Sequence, residues 1–236
     1  RSRRENLRVV GEFEYRDVAT DLADDKFNRD KLRILRGGFS YDRTDSWDGI
    51  TAVRGLVHQG LPILNATRLG DSLASRERGR SDFTKFTADI TRVQQLPSNF
   101  SVVATATAQA AKTPLMASEQ IALGGPNYGR AYDEGEIAND NGWAGSLELR
   151  YTPVLPENKV VRAVQFYSFV DGGQVWARST LETGTRQSLL SVGGGVRASL
   201  LEHLFATFEV DKPLNRRVAT EGDKDTRFFF NITAQY

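Results

Sequence analysis

The feature that most constrains this chain is an alternation of period two, recurring over segments of ten to thirteen residues. Successive side chains of an extended strand point to opposite faces, so such a pattern builds strands with one apolar and one polar side. In the last segment Phe228, Phe230, Ile232, Ala234 and Tyr236 share one face, opposite Arg227, Asn231, Thr233 and Gln235. Leu204, Ala206, Phe208 and Val210 oppose His203, Thr207, Glu209 and Asp211, and Trp143, Leu147, Leu149 and Tyr151 oppose Ser146, Glu148 and Arg150. The theme is already present near the start, where Val9, Phe13 and Tyr15 oppose Arg8, Glu12, Glu14 and Arg16. One face is therefore apolar, and the other carries paired opposite charges.

Ten strands are expected, at about 7–19, 31–43, 48–60, 82–95, 99–111, 142–153, 160–176, 187–200, 202–213 and 226–236. The connections between them alternate. Long ones (20–30, 61–81, 112–141, 177–186 and 214–225) take turns with short ones at Asp45–Trp47, Leu96–Ser98, Leu155–Asn158 and Leu201–Glu202. A soluble β-sandwich and a membrane β-barrel both accept the alternation, since each turns its apolar face away from water. Strand length and alternating loop length favour the barrel, whose tilted strands cross a bilayer between short periplasmic turns and long external loops. With that polarity Tyr236, Trp47 and Phe100 lie towards the periplasmic rim, and Trp143 and Trp176 towards the outer one. The charged faces then line a wet lumen, because a lone charge in the bilayer centre is costly.

Composition agrees and removes several function classes. Lys plus Arg is 31 against 30 for Asp plus Glu, too balanced for a dedicated nucleic-acid binder. There are no cysteines, hence no disulfides, thiolate metal sites or thiol nucleophiles. No apolar run is long enough for a transmembrane helix. His58 and His203 lie in separate segments, and no metal-binding or catalytic-triad spacing occurs, so neither an enzyme nor a metal or other cofactor is expected. A ten-stranded outer-membrane protease is a rival on strand count, but the Asp–His clustering it needs near the outer loops is missing. Gly193–Gly195 is no phosphate loop, since no helix follows, and is expected to mark a strand closely approached by a neighbouring loop.

One segment is not generic. Residues 112–141 show no strand alternation and are too long for an idle hairpin. Gly124 and Gly125 followed by Pro126 permit a sharp turn, and Arg130 stands just beyond, flanked by Gly129 and Tyr132.

From Leu96 to Pro153 the chain carries SEQ, LGGP, GRAY, EGE, an Asn139–Gly142 turn and SLELRY. This stretch resembles the outer-membrane transporters of two-partner secretion, the haemolysin secretion/activation proteins, which are relatives of the barrel-assembly insertases. On the following strand Phe169, Asp171 and Gly173 fill the family's F-x-D-x-G pattern. Together the motifs cover about 80 residues. Ala131 departs from the family's VRGY, which has glycine there, and Gly129 stands where the family has valine; Gly129 is expected to absorb the turn.

The resemblance implies an all-β fold, a transmembrane antiparallel β-barrel of 16 strands preceded by POTRA domains. Residues 1–236 would supply strands 7–16, and the connection at about 112–141 would be a reentrant loop in the lumen. The first six strands and the POTRA region are then expected to lie outside this chain. The implied lock on the loop consists of Arg130, Tyr132, Glu148, Phe169 and Asp171, with Arg130 and Asp171 as its central pair and Gly124, Gly125, Pro126 and Gly129 forming the turn. Phe228, Phe230 and Tyr236 are the expected C-terminal barrel-assembly signal. The implied function is secretion of an unfolded partner exoprotein through a gated pore in the bacterial outer membrane. Implied partners are that exoprotein, outer-membrane lipid and, during biogenesis, the barrel-assembly machinery. An insertase-type or adhesin-anchoring relative and a passive channel are the alternatives.

Overall fold

The computed structural model describes residues 4–22, 25–156, 160–178 and 186–235. Ten long strands are present: β1 (Glu5–Leu22), β2 (Asp25–Thr44), β3 (Gly49–Gly60), β4 (Thr84–Gln95), β5 (Phe100–Ala111), β8 (Asn141–Tyr151), β9 (Val161–Trp176), β10 (Arg186–Leu200), β11 (Leu204–Pro213) and β12 (Arg227–Ala234). Between β5 and β8 lie the short strands β6 (Ile121–Leu123) and β7 (Ile137–Asn139). The long strands pair in chain order as one antiparallel ten-stranded sheet, with β1 and β12 at its edges, and β6 and β7 form a separate hairpin.

Three expectations need correction. The connection 20–30 is mostly strand: β1 and β2 stay paired as far as Leu22 and Asp25. Those residues are almost all polar, so the alternation that marks strands elsewhere is absent there. The connection 112–141 contains the β6–β7 hairpin, two strands too short to show a period. At Asn139–Gly142 there is no turn, because β7 runs into β8 with only Asp140 between them. Tyr236 lies outside the described residues.

The two faces of the sheet differ as the alternation requires. On the apolar face Val9, Trp143, Phe166, Phe228 and Phe230 are 86%, 53%, 51%, 67% and 69% exposed. A sandwich would cover these side chains with a second layer; here they stand on the surface of the described chain. An apolar area of this size on a soluble monomer is anomalous, whereas lipid accepts it. Trp47 is in the turn before β3 and Phe100 opens β5, while Trp143 and Trp176 are at the long-loop ends of β8 and β9.

The hydrophobic cores are on the polar face, towards the long-loop ends of the strands. Leu32, Ile34, Phe83, Ala111, Leu115 and Met116 form one cluster. Leu123, Tyr132, Ile137, Ala144, Val175, Leu189 and Val218 form the other. Each joins the 112–140 connection to the strands, so burial of the connection's own apolar residues holds it against a face that is otherwise ionic.

Candidate functional site

Strand register decides what meets on the polar face. Glu148 pairs with Phe169, Phe169 with Gly193, Gly193 with Asp211, and Asp211 with Arg227, a single row across five strands. One step nearer the short turns run Arg150, Tyr167, Gly195, Glu209 and Phe229. Asp171, opposite Ser146 and Ser191, belongs to the row nearer the long loops.

The tip of the connection comes down onto these rows. Gly124, Gly125 and Gly129 have φ of +111°, +88° and +86°, in the left-handed region where a Cβ would be strained. Gly129 thus supplies the special geometry, and Ala131 is not among the residues with positive φ. The turn is closed by hydrogen bonds from the Gly124 N–H to Tyr128 O (2.8 Å) and from the Tyr132 N–H to Gly129 O (2.9 Å).

Arg130 donates from Nη1 to Glu148 Oε2 at 2.6 Å, and its guanidinium carbon stands 4.0 Å from the centroid of the Phe169 ring. Its Nε is 3.4 Å from Asp171 Oδ2, close enough for attraction but without hydrogen-bond geometry. Asp171 is held instead by the loop backbone: the Gly129 N–H donates to Oδ1 at 3.0 Å and the Arg130 N–H to Oδ2 at 3.4 Å. The Ser191 hydroxyl also donates to Asp171. The side chain of Arg130 therefore hydrogen-bonds Glu148, with Glu209 Oε2 a looser ion-pair partner at 3.6 Å, and Asp171 caps the turn that presents Arg130. Tyr132 is buried and donates its hydroxyl proton to Leu190 O at 3.0 Å, with Asn215 Oδ1 equally close. Arg130, Glu148, Phe169 and Asp171 meet at one place, Tyr132 anchors the loop beside it in the cluster of Leu123, Ile137 and Leu189, and Gly124 and Gly125 shape the approach.

Several participants were not singled out from the sequence. Glu148 also accepts from Arg150 (2.6 Å) and Arg197 (2.8 Å), so three guanidinium groups converge on one carboxylate. Arg197 lies 3.7 Å over the Tyr167 ring, and the Tyr167 hydroxyl donates to Glu209 at 2.5 Å. The polar-face parity of Arg150, Arg197 and Glu209 was visible; their convergence was not. Glu119, in the SEQ motif, is buried against Lys85 at 2.9 Å and also pairs with Arg16. Asp140 accepts from Arg76 (2.6 Å), the Leu115 N–H (2.9 Å) and the Arg178 N–H (3.0 Å). The far side of the tip is tied to the β11–β12 connection: Asp133 accepts from Arg227 at 2.8 Å and from the Thr220 hydroxyl at 2.6 Å.

The glycines at 193–195 make room for neighbouring strands rather than for a loop. A Cβ on Gly193 would meet Asp211 Oδ1 at 2.1 Å and the Phe169 ring at 2.7 Å, and one on Gly195 would meet Phe208 O at 2.2 Å. Beside the tip is a cavity of about 620 Å³, lined on the sheet side by Arg150, Tyr167, Arg197 and Glu209.

A wall of antiparallel strands, apolar outside and ion-paired inside, with a long connection docked on the ionic side, defines a membrane β-barrel wall. The chain belongs to the haemolysin secretion/activation protein family (ShlB/FhaC/HecB), whose family model matches residues 1–198. It is 28% identical over 184 residues to the heme/hemopexin transporter protein HuxB of Haemophilus influenzae, covering 72% of this chain and 32% of the relative. The chain thus spans about a third of the length of that relative. In fold it is similar to CdiB from Escherichia coli, with a TM-score of 0.82 at 18% identity, covering 99% of this chain and 42% of CdiB. CdiB from Acinetobacter baumannii matches with a TM-score of 0.73 at 18% identity, over 100% of this chain and 40% of that one.

Proposed function

We propose that the chain is the C-terminal part, strands 7–16, of a 16-stranded outer-membrane barrel that secretes an unfolded partner exoprotein, with the 112–140 connection as its reentrant gate. The observation that carries this reading is the bond between Arg130 at the loop tip and Glu148 deep in β8. Glu148 is the eighth residue of β8 counted from its long-loop end, so the tip reaches roughly 20 Å along the strand. A loop held that far in obstructs a lumen, and one held by exchangeable ion pairs is released by groups that compete for them. An extended polypeptide offers such groups at every step, and the alternating charges of the polar face give it transient, reversible partners. No nucleotide-binding loop takes part in this scheme; folding of the cargo outside would give direction. Phe228 and Phe230, on the apolar face of the last long strand, fit a C-terminal signal read by the barrel-assembly machinery.

The test is single-channel conductance and exoprotein secretion by the full-length protein carrying Arg130→Ala. Longer open times together with altered secretion are expected. Wild-type values of both would remove the gate from the mechanism.

A further inference from the structure

Charge is distributed differently on the two faces of the sheet. In β4, β5 and β8–β12 every carboxylate (Asp89, Glu148, Asp171, Glu209 and Asp211) is on the polar face, as pairing parity requires. In these strands the charges that point outward are all cations, and they stand at the strand ends. At the short-turn end they are neutralised: Arg92 pairs with Asp45 at 2.8 Å and Arg162 with Glu202 at 3.2 Å.

At the long-loop end they are not. Lys112, Arg186 and Lys212 follow the outward parity of Ala110, Leu190 and Val210, and all three are exposed. Among the described residues none of the three has a carboxylate partner. Lys112 Nζ stands 5.7 Å from the centroid of the Phe86 ring, and the Arg186 guanidinium 5.9 Å from that of Trp176. Arg178, also exposed, donates from Nε to Lys112 O at 3.2 Å, which brings a further cation beside Lys112. Cations at the top of an apolar wall, two of them (Lys112 and Arg186) over aromatic rings, are arranged for an anionic headgroup above acyl chains.

We propose that this rim is a docking surface for an acylated, phosphorylated glycolipid of the outer leaflet, the chemistry of lipid A. Lys112 on the β5 side, Arg186 on β10 and Lys212 on β11 meet its phosphates, and the apolar face below receives its chains. This inference rests on the membrane reading above, with the long loops facing outward. The spread of the cations selects the ligand. From β5 to β11 there are four strand spacings, roughly 19 Å. One phospholipid phosphate meets a single point of such a belt, whereas a sugar backbone carrying separated phosphates reaches several.

The test uses the full-length protein in neutral-lipid nanodiscs, probed with bisphosphorylated lipid A and with the same lipid after enzymatic dephosphorylation. The wild type is expected to hold the phosphorylated form at least tenfold more tightly. Each cation at an anionic surface contributes roughly fivefold in affinity, so Lys112→Gln/Arg186→Gln/Lys212→Gln is expected to lose about one hundredfold. Arg162→Gln, at the opposite rim, is expected to change nothing. Equal binding of the two lipid forms by the inserted wild type, or an inserted triple variant with undiminished binding, overturns this inference alone. Failure of the wild type to enter bilayers at all overturns the membrane reading, and this inference with it.

Discussion

Arg130 and Glu148 are 2.6 Å apart, one at the tip of a long connection and the other well inside the strand that follows it. Glu148 does not depend on that one partner, since Arg150 and Arg197 bind the same carboxylate at 2.6 and 2.8 Å. The site is thus a carboxylate hub with a removable third guanidinium, and removing the hub differs from removing the visitor.

Arg130→Ala leaves Glu148 paired and is expected to cost about 1.5–3 kcal/mol, the range for a charge-assisted hydrogen bond. Glu148→Ala leaves three guanidinium groups facing one another and is expected to cost about 3–5 kcal/mol, with the lower end favoured by the partial exposure of Arg150 and Arg197. Urea unfolding of the refolded protein, followed by tryptophan fluorescence, ranks the two. The reverse order would show that Glu148 is not the hub.

Gly129 bears the strained backbone of the tip, at φ +86°, and a Cβ there would press on Leu189 at 2.5 Å. Gly129→Val, although it restores the valine of the family motif, is expected to destabilise the docked tip by about 1–3 kcal/mol. Ala131→Gly, which restores the motif's glycine, is expected to cost under about 1 kcal/mol. Limited proteolysis of residues 124–136 in the two variants reads the difference, and equal cleavage would contradict it.

Asp211 is fully buried, and among the described residues neither carboxylate oxygen receives a hydrogen bond from a donor group. Replacing this group with a neutral amide of the same shape removes a desolvated acid. Asp211→Asn is therefore expected to raise stability by about 1–3 kcal/mol. Gly193→Ala, which drives a methyl into the same carboxylate and into Phe169, is expected to lower stability by a similar amount. Thermal unfolding midpoints that move the same way in both variants would exclude this account.

The hydrogen bond from Thr220, with the Arg227 guanidinium beside it, holds the Asp133 carboxyl below the usual carboxylate range. A lowered value means that the ionised form is favoured in the folded chain. The tie therefore contributes fully above the unfolded value near pH 4 and is lost as the pH falls through the lower folded value. Protection of residues 131–136 from hydrogen exchange, corrected for intrinsic rate, is expected to hold from pH 7 to about pH 4 and to fall below that. Asp133→Asn is expected to show weaker protection without this acid step, and an identical step in the variant would assign it to another group.

The five long strands after the loop and most of those before it were legible because lipid on one side and water on the other impose a two-residue period. The motif residues of the tip were legible as a set through their resemblance to a family. Residues 20–30 were misread because a hairpin with polar residues on both faces carries no period. The β6–β7 hairpin was missed because three residues cannot display one. Glu119 was invisible as a site residue because Lys85 and Arg16, which hold it, come from strands far away in the chain.

The sequence by itself determined which side of each strand is apolar and which residues stand at the tip of the long connection, since both depend on neighbours along the chain. Only the tertiary structure decided that Arg130 bonds Glu148 while Asp171 takes the backbone N–H groups of the turn. The same holds for Gly193, which opens a space shared by Phe169 and Asp211. Those choices follow from the register between strands, which places Glu148, Phe169, Gly193 and Asp211 in one row. Pairwise register is a property of the assembled sheet, and no single strand encodes it.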